Sequence, residues 1–288
     1  MVMSPINSHV ICENTQIVVC SANMMADKTD TPQFVEDLQA AGRYSFANAE
    51  ARRSVSGSGR AVAEALRRLR AGRRIATPHR GFSVIVPPEY REAGCPPASW
   101  FIDDLMRFVG RPYYVSLLSA AAVHGAAHQQ PMRFQVVTDR PMRPAEAGRV
   151  RIDFHVSRSA VSAPVVQAQT ETGYMRVSTP ETTAFDLVHF VAASGGLSNV
   201  ATVLVDLAER LQIDALRALV GARPTPEIQR LGYLFDLIGR QQLADPLARA
   251  LTGRRVRSIL LVPGLPNDGH RAAATWRVVP NETLDLDA

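Results

Sequence analysis

Turn-forming residues punctuate residues 31–88 so closely that only short elements fit between them. They are Gly42, the run Ser56-Gly57-Ser58-Gly59, Gly72, Pro78-His79-Arg80-Gly81 and the pair Pro87-Pro88. Thr31-Pro32 opens a first helix, with Phe34, Val35 and Leu38 on its apolar side, that stops at Gly42. A short extended segment, Tyr44-Ser45-Phe46, leads to a second helix from Asn48 carrying Ala49, Ala51 and Val55. After the Gly-Ser turn, Arg60 to Ala71 is a strong helix ended by Gly72. Two β-like segments, Arg73–Thr77 and Phe82–Val86, then flank a turn at Pro78–Gly81. A proline pair cannot continue a strand ladder, so Pro87-Pro88 closes the unit. Helix, short strand, helix, tight turn, helix, β-hairpin is the order of a winged helix-turn-helix, assigned to residues 30–88.

The third helix has two faces. At about 100° per residue, Val62, Leu66 and Leu69 cluster on one side and pack against the first two helices. Arg60, Ala61, Glu64, Arg67, Arg68 and Ala71 fall on the other. Ten arginines against four acids (Glu36, Asp37, Glu50 and Glu64) give residues 31–88 an excess of six positive charges, while the whole chain of 288 residues is only +5. Any solvated helix can look like this, and Glu64 with Arg68 is an ordinary i, i+4 pair worth a few tenths of a kcal/mol. The helix order, the Gly-Ser turn and a basic wing tip at His79-Arg80 turn the reading toward double-stranded DNA. Ser58, Arg60, Ala61 and Glu64 then lie near the helix N-terminus and reach base edges, Arg preferring guanine and Glu accepting from cytosine. Arg67, Arg68, Arg73 and Arg74 grip phosphates, and His79 and Arg80 reach the adjacent groove or backbone. The alternative is a wing that binds protein or is vestigial.

Lys28 is the only lysine, which removes several chemistries. A Walker A loop, a Schiff base and a metal-dependent nuclease of the Asp/Glu-x-Lys type each need a lysine in a defined place. Cys12, Cys20 and Cys95 form no short-spaced pair, so neither a disulfide framework nor a structural zinc site is indicated and a cytoplasmic location is expected. No apolar run approaches the ~18 residues of a membrane span. Residues 1–29 show neither a secretion-signal pattern nor clear periodicity; they read as a disordered tail, with Met24 or Met25 as a candidate start.

Residues 89–97 read as a linker and 98–288 as a larger mixed unit. Ala98–Val109 and Tyr114–Ala127 are expected as helices, and Met132–Thr138, Val150–Val156, Val165–Ala168 and Tyr174–Val177 as strands. A helical block follows, from the capping-box spacing Ser178-Thr179-Pro180-Glu181, from Ser198 and from Thr225-Pro226-Glu227. Strands at Val256–Val262 and Thr275–Val279 finish the chain. The fold class is therefore α+β: an N-terminal winged helix-turn-helix followed by a larger mixed α/β domain.

Four patches carry a family resemblance: Tyr113–Gly125 (YYVSLLSAAAVHG), Gln135–Thr138 (QVVT), Val177–Val188 (VSTPETTAFDLV) and Ile228–Phe235 (IQRLGYLF). In this order they resemble the AbiEi-type antitoxins of AbiE toxin–antitoxin systems, and the build is similar to that of a mycobacterial-type two-domain winged-helix DNA-binding protein. The resemblance implies a bifunctional protein. Its winged helix represses its own operon at inverted repeats in the promoter, and its C-terminal domain counteracts a cognate toxin of the nucleotidyltransferase type. Residues 1–29 match nothing in the family pattern, and the family brings no base-reading motif, so the DNA contacts rest on helix geometry.

Other chemistry is weighed against plainer readings. His124 and His128 have the i, i+4 spacing of a metal pair, with Asp153 and His155 as conceivable further ligands. Gly125 ends the helix there, and a helix-end histidine among backbone carbonyls is the plainer account, so no metal or other cofactor is assigned. Asp139 and Asp153 lie in or at adjacent expected strands, as paired carboxylates do in nucleases, and Asp268-Gly269-His270 is a faint further echo. Strand-end aspartates more often cap turns, and no catalytic residue is assigned. Trp100, Phe101 and Phe108 follow a helical period and read as core. The rival functions are a stand-alone winged-helix transcriptional regulator, a winged-helix-linked nuclease and a ligand sensor that uses the second domain as a pocket, for which nothing in the sequence names a ligand.

Overall fold

The structure is a computed structural model that describes residues 30–127, 131–267 and 269–284. Helix α1 (Thr31–Ala40) is capped by Asp30, whose carboxylate accepts from the Gln33 N–H at 2.9 Å. The cap is thus one residue earlier than Thr31, which is buried instead. Strand β1 (Ser45–Ala47), α2 (Asn48–Ser54) and α3 (Gly59–Ala71) follow, then the hairpin β2 (Ile75–His79) and β3 (Phe82–Ile85). Strand β3 pairs antiparallel with both β1 and β2, giving a three-stranded sheet in the order β1-β3-β2. Pro78 stays inside β2, where the register shifts between Ala76 and His79, so its missing N–H interrupts no regular ladder. The turn shrinks to Arg80-Gly81, and Gly81 supplies its left-handed backbone at φ +84°. Phe34, Val35, Leu38, Phe46, Val62, Leu66, Leu69, Ile75 and Ile85 share the core of this unit. Its element order is that of a winged helix-turn-helix.

The larger unit is a six-stranded mixed sheet with the order β6-β7-β5-β4-β9-β8. The strands are β4 (Tyr113–Val115), β5 (Phe134–Thr138), β6 (Ala145–Ala147), β7 (Val150–Val156), β8 (Val165–Thr170) and β9 (Gly173–Ser178). Around them lie α4 (Ile102–Val109), α5 (Leu117–Val123), α6 (Pro180–His189), α7 (Leu197–Leu207), α8 (Ile213–Val220), α9 (Thr225–Leu237) and α10 (Gln241–Leu251). A small parallel pair, β10 (Ile259–Leu260) and β11 (Val278–Val279), closes against α9. Sequence periodicity misplaced one central piece. Tyr114 and Val115, expected as the start of a helix, belong with Tyr113 to a fully buried strand between β5 and β9, and α5 begins only at Leu117. Likewise Thr179, not Ser178, caps α6, and Glu181 accepts from the Gln212 N–H at 2.9 Å instead of closing a capping box.

Alternation along β4 assigns the two faces of the sheet. Tyr113 and Val115 join Val136, Met175 and Val177 in a cluster with Phe101, Ile102, Leu105 and Met106. Tyr114 points the other way, into a larger cluster built from α6 to α10. The first cluster also takes in Ala76, Phe82, Val84 and Val86 of the hairpin and Cys95 of the 89–97 connection. The winged unit is therefore packed onto one face of the large sheet through α4, and the helical block covers the other. The Ser45 hydroxyl donates to Asp104 at 2.7 Å across the same junction.

Candidate nucleic-acid interface

Helix α3 buries Val62, Leu66 and Leu69 and exposes Arg60, Ala61, Glu64, Arg67, Arg68 and Ala71, as the sequence period requires. Ser58 is its N-cap: the side-chain oxygen accepts from the Ala61 N–H at 3.2 Å. The Ser58 oxygen and the Ala61 amide thus already engage each other. The acid on this face pairs differently from expectation. Glu64 binds Arg67 in a two-pronged contact, at 2.7 and 2.9 Å, instead of Arg68. The pair lowers the Glu64 carboxyl and raises the Arg67 guanidinium from their ordinary values, chiefly by hydrogen bonding. Both side chains are about half or more exposed, 49% and 67%, so water and salt screen the pair and a phosphate can compete for Arg67.

The remaining arginines divide by their partners. Arg74 reaches back to Glu36 on α1 at 2.9 Å, and Arg70 donates to the Thr77 hydroxyl at 2.9 Å. Arg43 pairs with Glu50 at 2.8 Å. Among the described residues no carboxylate forms a salt bridge with Arg60, Arg68, Arg73 or Arg80, nor with Arg52 and Arg53 at the end of α2, although Arg68 still acts on Glu64 through space. Arg73 has a left-handed backbone at φ +54°, which ends α3 and delays β2 to Ile75. At the wing tip the His79 ring lies 6.0 Å from the Phe108 ring, and its Nδ1 is 3.0 Å from the Arg80 carbonyl oxygen. His79 is consequently half-buried, whereas Arg80 is exposed. Sequence reasoning passed over Arg52, Arg53 and Arg70; counting exposed cations on the neighbouring elements would have raised them.

The other candidates are placed apart. Asp153 lies opposite Gln135 in the parallel β5–β7 pairing, while Asp139 follows the end of β5 at Thr138, which is opposite Val156. The two carboxylates therefore stand about four strand positions apart, and each has its own arginine: Arg133 on Asp153, and Arg111 at 3.7 Å from Asp139. They form no paired-carboxylate site. The His124 ring Nε2 lies 2.7 Å from the Ser178 carbonyl oxygen at the end of α5. No group of three or more His, Cys, Asp or Glu side chains converges among the described residues, and His128 and Asp268 lie outside them. Phe101 is core, and Trp100 is wedged between Tyr44 and Tyr90 with ring centroids 5.0 and 5.3 Å away. Phe108, expected in the core, is 40% exposed because α4 turns it to the wing, where it meets His79 and Phe82.

A winged-helix unit with an arginine face, fused to a larger mixed α/β domain, is the class this chain's architecture defines. Residues 114–237 match the family model described as the AbiEi antitoxin C-terminal domain, so the resemblance read from the sequence is upheld over β4 to α9. The chain is also similar to the RV2827C protein from Mycobacterium tuberculosis, whose crystal structure superposes with a TM-score of 0.63 at 18% identity, covering 88% of this chain and 93% of that one. At that identity the likeness is one of fold. No curated protein matches the chain in sequence. No helix among the described residues is long and apolar enough to cross a membrane.

Proposed function

We propose that this chain is a cytoplasmic DNA-binding antitoxin without catalytic activity of its own. It represses its own toxin–antitoxin operon through α3 and the wing, and it counteracts a nucleotidyltransferase-type toxin through the larger domain. The observation that carries the DNA half is the set of exposed arginines held in no salt bridge among the described residues, Arg60, Arg68, Arg73 and Arg80, on and beside a helix whose opposite face is core. Arg60, nearest the helix N-terminus, is assigned to a base edge, with Glu64 and the backbone around Ser58 and Ala61 beside it. Arg68, Arg73 and Arg80 are assigned to phosphates, with His79 at the wing tip. Arg67 and Arg74 join them by exchanging their carboxylates for phosphate oxygens. The antitoxin half is supported by the family match over residues 114–237.

Binding of the purified chain to duplexes from its own promoter tests the first half. Arg68→Glu and Arg73→Glu are expected to weaken binding to every duplex and to flatten its salt dependence, by about 0.9 in the log–log slope for each phosphate that is no longer neutralised. Arg60→Ala is expected to relax sequence preference by about 1–3 kcal/mol if it reads a guanine. Unchanged promoter affinity in both Glu variants would overturn the helix assignment. Coexpression with the gene beside its own tests the second half: relief of toxicity is expected, and its absence leaves a stand-alone regulator.

A further inference from the structure

The outer strand of a β-sheet has amides and carbonyls with no strand to meet, and proteins blunt such edges with charge, proline, a bulge or a short strand. Most strand edges of this chain are blunted in one of these ways. At one end of the six-stranded sheet, β6 is three residues long and carries the exposed Glu146. In the winged unit β1 is three residues long, and β2 holds Pro78 and a shifted register. Strands β10 and β11 have two residues each. Strand β8, at the other end of the large sheet, differs. It is six residues long, Val-Val-Gln-Ala-Gln-Thr, with no charge, proline or glycine, and its register with β9 runs unbroken from Val165 opposite Ser178 to Thr170 opposite Gly173.

The ladder itself says which backbone groups are free. The Thr179 N–H donates to the Pro164 carbonyl at 3.2 Å, so by antiparallel alternation residues 166, 168 and 170 turn their amides and carbonyls to β9. Val165, Gln167 and Gln169 turn theirs outward, where among the described residues nothing bonds to them. The charges at the two ends of the strand are opposite. Arg158, in the 3-10 turn before β8, and Glu171, in the hairpin turn after it, are both exposed and in no salt bridge among the described residues. Antiparallel pairing of β8 with a second β8 brings the Glu171 end of each to the Arg158 end of the other, whereas parallel pairing would join like ends. Paired side chains must share a face, so the two-fold axis is normal to the sheet and passes through a residue position. Gln167 then faces its own copy, and Val165 faces the copy's Gln169. The remaining nearby cation is Arg176, opposite Gln167 on β9. Two β8 strands separate it from its copy, which at about 4.8 Å per strand is about 14 Å, beyond the range at which salt leaves like charges unscreened.

We propose that β8 is the docking edge for a second copy of this chain, joining two six-stranded sheets into one across a two-fold axis at Gln167. An axis normal to the sheet does not exchange its faces, so both winged units stay on the same side of the joined sheet. The proposal rests on the edge and does not depend on the DNA reading. Sedimentation velocity of the full chain tests it. A six-residue pairing is a small interface, so reversible dimerisation is expected, with a dissociation constant on the order of micromolar to tens of micromolar. Gln167→Pro removes an outward N–H that no bond within the chain uses, so it is expected to leave the unfolding midpoint unchanged and the chain monomeric. Gln167→Lys sets two like charges face to face across the axis. It is expected to weaken the dimer about tenfold or more and keeps the test decisive if the proline variant does not fold. Hydrogen exchange locates the contact: the amides of Val165, Gln167 and Gln169 are expected to slow as the dimer forms, and not to slow in Gln167→Lys. A chain that stays monomeric at about 200 μM, well above that dissociation constant, would overturn the proposal. So would a dimer indifferent to both substitutions, or one that leaves the exchange of these three amides unchanged.

Discussion

At the scale of single residues, Phe190 separates two histidines with opposite fates. The His155 ring lies 5.2 Å and the His189 ring 4.4 Å from it. His155 is held below the ordinary imidazole value, chiefly by burial, and its Nε2 has no hydrogen-bond partner among the described residues. His189 is raised above that value, chiefly by its hydrogen bond to Glu227. The linkage signs follow. His189 binds its proton more tightly folded than unfolded, so its contribution is complete below an unfolded pKa near 6.5 and is lost as pH rises through the higher folded value. Because the ring is nearly half exposed, that contribution is small. His155 binds its proton less tightly folded, so stability falls as pH drops through about 6.5 toward the lower folded value. NMR titration of the imidazole signals is expected to place one midpoint above 6.5 and one below. His189→Gln removes the upper one and Glu227→Gln lowers it; a common midpoint for both rings would contradict the pairing. The buried Asp186 works differently. It accepts from Tyr114 at 2.9 Å, Ser116 at 2.8 Å and Arg223 at 3.3 Å, tying β4 to α6 and to the turn before α9.

At the scale of elements, the helical block depends on one close approach. A Cβ built on Gly232 in α9 would lie 2.1 Å from the Trp276 ring, with two more ring atoms at 2.3 and 2.6 Å. The indole N–H donates to Asp236 one turn further along the helix, and Gln229 donates to the Trp276 carbonyl at 2.7 Å. A ring held at both ends has little room to retreat. Gly232→Ala is therefore expected to destabilise by about 1–3 kcal/mol despite the better helix propensity of alanine, with an altered Trp276 emission. A stabilised variant would show that the ring moves freely. This helix was legible from its apolar period and Pro226 start, and so were α3 and both its faces. Helix α10 was not, because Pro246 in its interior reads as a breaker; its burial with Leu243 and Leu247 in the α8–α9 packing holds it there. The strand Tyr113–Val115 was hidden by the alanine-rich run after it, since three residues carry too short a period to separate from a helix. On the candidate interface, position was legible and pairing was not. Arg74 meets Glu36 across 38 residues of sequence, and whether Glu64 takes Arg67 or Arg68 is a rotamer choice that spacing leaves open.

At the scale of the whole molecule, the arginine face is not hung on a tether. The hairpin residues Phe82, Val84 and Val86 share one buried cluster with α4 and the near face of the six-stranded sheet, and the far face of that sheet carries the helical block. The connection is tight on a second side. Gly148 at the β6–β7 turn lies so near residues 93 and 94 that a Cβ there would come within 2.1 Å of the Ala93 carbonyl oxygen, and the Arg149 N–H donates to that oxygen at 2.7 Å. Such packing couples the stability of the winged unit to that of the larger domain, so the two are expected to unfold together. The chain supplies its own reporters, because it has two tryptophans. Trp100 stands between Tyr44 of the winged unit and Tyr90 at the junction, and Trp276 lies against α9 in the helical block. Trp276→Phe leaves a signal from the junction alone, and Trp100→Phe leaves one from the far side of the sheet. Within each variant, the denaturant midpoint from fluorescence is expected to coincide with that from far-UV circular dichroism. A junction signal that changes at lower denaturant than the circular dichroism would mean that the winged unit detaches before the large domain melts. The cluster spanning hairpin, α4 and sheet would then be too weak to fix the direction of the arginine face relative to the rest of the molecule.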